Sequence, residues 1–296
     1  MKQNMRQKNM QAYLFLSPFL IFITVLYILP AILTVIMAFT SLDSAFIWKF
    51  NGINNFRKIL MDPNTPIIAW NTVKYVGITI FLTVVLDLFF AIMTTYFIRD
   101  ERKGNIFKSI LMIPMITPGV VYSVLWLWLL EATPNGLANK VYMALGGSEP
   151  LNWIAQYPFV IIIAATLLTS IAYGTTVFSS AVKSIPENQF RAARVDGAGE
   201  WEIVRNIILP NLRFHITFIA LWETLGLLTN YVTIMLITNG GPGVQTEVWA
   251  LSAYHKAFSD SQYGYGAAIS LVLIVVVMVL MLVIGAVMHH QEESRS

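Results

Sequence analysis

The chain has 296 residues, 56% of them hydrophobic and only 12% charged, where a soluble domain carries about 25% charged residues. That composition, with a mean hydropathy of +0.65, describes an integral membrane protein. A formal net charge of +3 is too small to argue for a nucleic-acid partner, and the lack of cysteine excludes disulfides, thiolate catalysis and thiolate-held metals.

A helix crosses the bilayer with roughly 20 mostly apolar residues, and six stretches qualify. The first, about 13–39, follows Lys2, Arg6 and Lys8 but is far longer than a signal peptide's apolar region, so it reads as a retained helix. The second, about 71–98, carries Asp87 deep in its run. The third, about 109–130, contains Pro114 and Pro118, both expected to kink it. The fourth, about 158–182, lacks charge until its end. The fifth, about 214–238, carries Glu223. The sixth, about 264–288, opens with Gly264, Gly266 and Ser270, a pattern of close helix packing. The runs are uninterrupted rather than alternating, which excludes membrane strands. The expected fold is an all-α integral membrane protein of six transmembrane helices.

Lys and Arg accumulate on cytoplasmic loops. With the N-terminus inside, the inner segments, ending with Arg295, hold 13 of these residues and the outer segments six, so both termini are expected to be cytoplasmic. Three outer connections, about 40–70, 131–157 and 239–263, mix turns with short amphipathic pieces. Neither a repeat nor a low-complexity linker divides the chain, and 1–296 reads as a single transmembrane domain.

The fourth and fifth spans are joined by an unusual segment. Lys183 to Arg213 carries nine of the 35 charged side chains. Ser184-Ile185-Pro186-Glu187 is a helix start, with proline and an acid at the positive end. A short helix over 187–195 is then broken by Gly197 and Gly199, and a second helix, Glu200–Leu209, runs to Pro210. Phe190, Ala193, Val195, Trp201, Val204, Ile207 and Ile208 are too many apolar residues for a solvated loop. They fit either two interfacial helices resting on lipid headgroups or a knob that docks into a partner's groove.

The run Arg191-Ala192-Ala193-Arg194-Val195-Asp196-Gly197-Ala198, followed by Ile207-x-Leu209-Pro210, resembles the E-A-A-x-x-x-G-x(9)-I-x-L-P loop of membrane subunits of ATP-binding-cassette importers. "LFLSPFLIFITVLYILPAI", "NGINNFRKIL" and "LITNGGPGVQTEVWALSAYHKAFSDSQYGYGAAISL" are similar to sugar permeases of that superfamily, of the maltose-permease-like first-subunit type. The resemblance implies that 184–212 is a coupling loop gripped by a cytoplasmic ATPase dimer, with Phe190, Arg191, Ala192, Ala193, Asp196, Gly197, Ala198, Ile207, Leu209 and Pro210 at the contact. It also implies a second permease subunit and an extracytoplasmic sugar-binding protein, the latter facing the turn at Gly240, Gly241 and Pro242. One position departs: the family's leading Glu is Arg191 here. Either the ATPase supplies a compensating acid, or Glu187 pairs with Arg191 and docking relies on shape.

The chain has no G-x-x-x-x-G-K-[ST] loop for phosphates, no H-E-x-x-H and no G-x-S-x-G, and His215, His255, His289 and His290 form no ligand set. The expectation is a chain that binds no cofactor, with ATP and magnesium held by the partner ATPase.

Intramembrane acids are costly and mark functional candidates. Glu223, Gly226, Asn230 and Thr233 recur at helical spacing and would lie along one face, where Glu223 and Asn230 could accept sugar hydroxyls and Tyr231 or Trp222 could stack on a ring. The competing reading is structural glue between helices. Asp87 is a further path candidate, or an interhelical cap or a tie to the partner subunit. An importer of glycerol 3-phosphate or a similar solute, and an ion-coupled secondary transporter using Asp87 and Glu223, are the alternatives; for a membrane enzyme the chain offers no recognisable nucleophile, metal set or acid–base pair.

Overall fold

The computed structural model describes residues 2–293, with side chains from Tyr13 to Ala286. Lys2, Arg6, Lys8 and Arg295, and the pair His289 and His290, lie outside the described side chains. The described residues are all-helical, with a single isolated antiparallel bridge between Thr40 and Phe50.

Helices α1 (Lys2–Ile23) and α2 (Leu29–Ala38) join through a π turn at Thr24–Ile28. Then come α3 (Asn54–Met61) and α4 (Thr65–Ile92), the latter prolonged by a π turn at Met93–Phe97. Next are α5 (Glu101–Ile116), α6 (Gly119–Leu129), α7 (Leu137–Ala144), α8 (Trp153–Gln156) and α9 (Pro158–Lys183). The charged segment holds α10 (Glu187–Val195) and α11 (Glu200–Ile203), with a π turn at Val204–Ile208 leading into α12 (Leu209–Thr229). The chain continues with α13 (Val232–Ile237), α14 (Trp249–Tyr254), a π turn at His255–Ser259 and α15 (Tyr263–Glu293).

Among the described residues, four helices are long and apolar enough to cross a membrane: Tyr13–Ala38, Thr65–Phe97, Pro158–Lys183 and Tyr263–Ala286. A fifth arises if α5 and α6 count as one broken span; they meet at 96°. The break falls at Thr117, whose extended backbone precedes Pro118, because proline disfavours helical backbone in the residue before it. Pro114 stays inside α5 and does not end it.

The stretch 214–238 is not one helix. Asn230 adopts an extended backbone (φ −76°, ψ 110°), ending α12, and α13 starts afresh at Val232. The short α13 packs on α6 and α9, and its buried Ile237 joins a cluster with Tyr122, Leu130, Ile161 and Ala165. That tertiary seat, absent from the local sequence, favours the break.

The chain divides into two compact units. One comprises the residues up to Asp62 with Ser252–Ile274. In it, buried Asn55 donates to the carbonyls of Ala38 (2.9 Å) and Thr40 (2.8 Å). Gly264 lies so close to Thr40 that an added Cβ would sit 2.3 Å from its carbonyl oxygen, and one at Gly266 would meet Ala257 at 2.6 Å. These glycines therefore serve close packing. None of the Tyr13–Ala38 window's hydropathic core is buried, so it presents apolar side chains such as Phe15, Phe19 and Leu26 outward. The other unit comprises Pro63–Leu251 with the residues from Val275 onward, and its core is the pairing of α4 with α9, joined by α12.

Candidate functional site

The charged segment is an ordered device. Gly197 takes φ +84°, the left-handed conformation that glycine adopts without penalty. This lets Ala198 N–H bond Ala193 O (2.9 Å) and Gly197 N–H bond Arg194 O (3.2 Å), satisfying the last carbonyls of α10. Two residues on, Glu202 reaches back to accept from Gly199 N–H (2.9 Å), capping the start of α11. The helix then continues through Pro210 rather than stopping there, correcting the expected Glu200–Leu209 boundary. In the π turn Leu209 N–H reaches back five residues to Val204 O, and the widened ladder accommodates a proline that has no N–H to offer.

The apolar residues of this segment divide by role. Val204 and Ile208 are buried with Leu212 in a core that includes Ala91, Ile92, Phe178 and Val182, and Phe190, Ile207 and Leu209 pack against its edge. Arg191, Ala192, Asp196 and Gly197 remain exposed, as do Val195 (87%) and Trp201 (68%), while Ala193 and Ala198 are half-buried. Arg191 pairs with Glu187 at 3.1 Å along α10, so any partner meets a cation already partnered within its own helix. Exposed i,i+4 pairs of this kind contribute only a few tenths of a kcal/mol.

The second anchor is a clasp that sequence reading missed. The Tyr96 hydroxyl donates to Glu200 and accepts from Arg194 Nη2 (3.3 Å), while Arg194 Nε lies 3.6 Å from the other Glu200 oxygen. The Tyr96 ring stacks at 5.7 Å on Phe190, and Phe97 meets Trp201 at 5.8 Å. Hydrogen bonding to Tyr96, followed by the Arg194 charge, holds the Glu200 carboxyl below the usual carboxylate range. The Tyr96 and Phe97 rings both stand in the π turn at Met93–Phe97. The signal in the sequence was an aromatic pair at the C-terminal end of an apolar run.

Deeper in the helices, Asp87 is fully buried in the α4–α9 seam. Its Oδ1 accepts from the backbone N–H (2.9 Å) and hydroxyl (3.0 Å) of Thr175, the geometry of an interhelical tie. Tyr75 and Thr166 share a second bond across the same seam at 3.0 Å. Glu223, on α12, comes within hydrogen-bonding reach of Ser170 on α9 and acts electrostatically on Asp87, so the two acids share one polar neighbourhood. Trp222 is exposed, and its ring lies 6.2 Å from that of Tyr173. The proposed stripe does not survive as one helical face: Glu223 and Gly226 lie on α12, Asn230 and Tyr231 in the break, and Thr233 on α13. Asn230 still bonds Gly226 O through its N–H (2.9 Å).

Beside the N-terminal turns of α4, the Gly240-Gly241-Pro242 turn is folded tightly. Gly240 (φ +81°) abuts buried Glu247, where a Cβ would fall 1.9 Å from Oε2. Thr246 N–H bonds Gly240 O (3.0 Å), and Thr246 Oγ1 bonds Gly241 O (2.8 Å). Asn71 Nδ2 donates to the carbonyls of Val244 (2.8 Å) and Glu247 (3.2 Å), and Trp249 N–H donates to Thr72 Oγ1 (2.8 Å). Pro242 and Gly243 stay exposed.

Long apolar helices, a buried polar seam and a charged two-helix loop make up a helical membrane protein. The chain belongs to the family of binding-protein-dependent transport system inner membrane components, which matches residues 15–295. It is 28% identical over 265 residues to the trehalose/maltose transport system permease protein of Thermococcus litoralis, covering 88% of this chain and 87% of that one. It is 27% identical over 268 residues to the arabinooligosaccharides transport system permease protein of Bacillus subtilis, covering 90% and 84%. Its fold matches a subunit of a bacterial ATP-binding-cassette transporter involved in alginate import, with a TM-score of 0.85, 18% identity and 96% coverage of both chains. The protein is thus an ATP-binding-cassette importer permease subunit, multi-pass in the cytoplasmic membrane.

Proposed function

We propose that this chain is one of two permease subunits of a carbohydrate importer, that its natural cargo is an oligosaccharide, and that its loop 184–212 couples transport to a separate ATPase dimer. In this reading 1–296 is a single transmembrane domain crossing six times with both termini inside. α5–α6 and α12–α13 are its two broken spans. The second permease completes the path, an extracytoplasmic sugar-binding protein meets the turn at Gly240–Pro242, and ATP and magnesium stay on the ATPase.

The observation that carries the reading is the loop: an exposed apex of Arg191, Ala192, Val195, Asp196 and Gly197 on a base buried through Val204, Ile208 and Leu212. An apex presented by a rigid base suits a surface that must receive a push. Similarity to permeases named for trehalose/maltose and arabinooligosaccharides supports a sugar cargo. Broken helices at membrane depth free backbone groups where they line a cavity, so the breaks at Thr117 and Asn230 are the places for sugar hydroxyls to bind, with Glu223, Asn230 and Tyr231 contributing and Trp222 as a stacking surface. Asp87 serves as the tie between α4 and α9. Glu223 favours a neutral sugar over glycerol 3-phosphate, since a carboxylate repels an anion. An ion-coupled carrier would need Asp87 and Glu223 to titrate during transport.

Reconstitution of the chain with a second permease, an ATPase and a binding protein tests this. Uptake of a labelled oligosaccharide that requires all four and MgATP supports the reading. Uptake by this chain alone, driven by an ion gradient, overturns it.

A further inference from the structure

We propose that α4, with its π-turn extension, is a strut that carries conformational change between the outer turn and the inner loop, and that Asn71 and Tyr96 are the positioning residues at its two ends. The inference rests on the reading of loop 184–212 as the ATPase dock, and goes beyond it by assigning the route of transmission.

The rod runs continuously for 33 residues from Thr65 to Phe97, about 50 Å at the usual helical rise. Near its outer end, Asn71 uses its amide to hold two carbonyls of the segment after Gly240–Pro242, and Thr72 holds a third point through Trp249 N–H. Asn71 is 3% exposed, so these bonds are made out of water, where a lost partner leaves a buried carbonyl unsatisfied. At the inner end, Tyr96 is bonded to both Arg194 on α10 and Glu200 on α11. It thereby grips both arms of the loop on either side of the Gly197 joint. Between the ends, Tyr75–Thr166 and Asp87–Thr175 tie the rod to α9, so it cannot rotate or slide alone.

A push on α10 thus reaches α4 at Tyr96, and a shift of α4 reaches the outer turn at Asn71. Coupling between distant sites requires an element that both sites bias, and α4 is bonded to both. The same connection works in reverse: an outer partner that reshapes the Gly240–Pro242 turn alters the seating of the inner loop, because coupling free energies are reciprocal.

The chain has no native cysteine, so a single introduced one can be labelled specifically. A spin label at Gln245→Cys reports the exposed part of the outer turn, and one at Val195→Cys reports the loop apex. In the complex assembled with its ATPase and second permease, trapping the ATPase with MgATP and vanadate changes the Gln245→Cys spectrum. In Tyr96→Leu, and separately in Asn71→Ala, the fraction of label that responds falls at least about fivefold. Tyr96→Phe, which keeps the ring on Phe190 but loses the hydroxyl, falls in between. The Tyr96→Leu/Asn71→Ala double variant is no worse than the weaker single variant, since both interrupt one route. The Val195→Cys label still broadens when the ATPase is added to Tyr96→Leu, showing that the variant folds and docks.

A full Gln245→Cys response in either single variant, or in both, overturns the inference, as does an unresponsive label in the otherwise native chain. Double-variant losses that multiply overturn it too. If the Val195→Cys label ignores the ATPase in the native chain, the docking reading itself fails. Broadening there with an undiminished outer response in Tyr96→Leu removes the strut alone.

Discussion

The carboxylate of Asp87 occupies the space that a side chain at position 174 would need: an added Cβ would lie 1.9 Å from Oδ2. The tie between α4 and α9 thus depends on an acid and a glycine together, and neither can change independently of the other.

Gly174→Ala forces the acid away from Thr175 or the helices apart, costing about 1–3 kcal/mol by overpacking. Gly77→Ala on α4, where the new methyl meets open space, is neutral or slightly stabilising. Thermal unfolding of the purified complex compares the two. Asp87→Ala in the Gly174→Ala background removes the clash and recovers part of the loss, whereas a double variant worse than Gly174→Ala would contradict the packing assignment.

Gly197→Ala is disfavoured for a different reason. There is open space at that position, but φ is +84°, so the penalty is backbone strain of about 1–2 kcal/mol. Gly199, at φ −70°, accepts Ala with only a 3.9 Å contact to Glu202. Uptake per ATP hydrolysed therefore drops in Gly197→Ala and stays near native in Gly199→Ala. Equal behaviour of the two would remove the joint from Gly197.

Four of the long helices were readable from hydropathy, because runs such as 158–182 leave no other home for their side chains. The loop was readable too, since Pro186, Gly197 and Gly199 punctuate it. The two helix breaks differ instructively. Pro118 announced the first break, whereas nothing in Leu228-Thr229-Asn230-Tyr231 announced the second, which follows from the seat of α13 on α6. Asp87 and Glu223 stood out individually, but their shared neighbourhood required α9 between them. Tyr96, Asn71, Thr175 and Gly174 passed unnoticed because a lone hydroxyl, amide or glycine in an apolar run is ordinary until its partner is known. The buried set Thr72, Thr79, Thr83 and Asp87 on α4, with Thr94 in its π-turn extension, does recur on one helical face, a period that could have located the seam.

The clasp has a defined pH response. Glu200 is held below its ordinary value by Tyr96 and Arg194, so its contribution is fully present above the free glutamate value of about 4.3. It is lost as the pH falls through the lower folded value. Trp201 fluorescence, isolated by replacing the other tryptophans with Phe, should report the loop loosening only in that acidic range. Glu200→Gln should abolish the transition, and an unchanged transition in that variant would place its origin elsewhere.

Glu223→Gln distinguishes cargo classes. If Glu223 accepts hydroxyls of a neutral sugar, losing the charge-assisted bond costs about 1.5–3 kcal/mol, a roughly 10–100-fold fall in uptake efficiency at unchanged assembly. An anionic solute such as glycerol 3-phosphate would instead be taken up better by Glu223→Gln, and that outcome would reassign the cargo.

Site-directed crosslinking at Val195→Cys tests the central claim most directly. In intact membranes containing the assembled transporter, a short bifunctional reagent should link position 195 to the ATPase subunit, and a membrane-impermeant thiol reagent added outside should leave it unmodified. A residue 195 that is labelled from outside, or that never links to the ATPase in an active complex, would contradict the account.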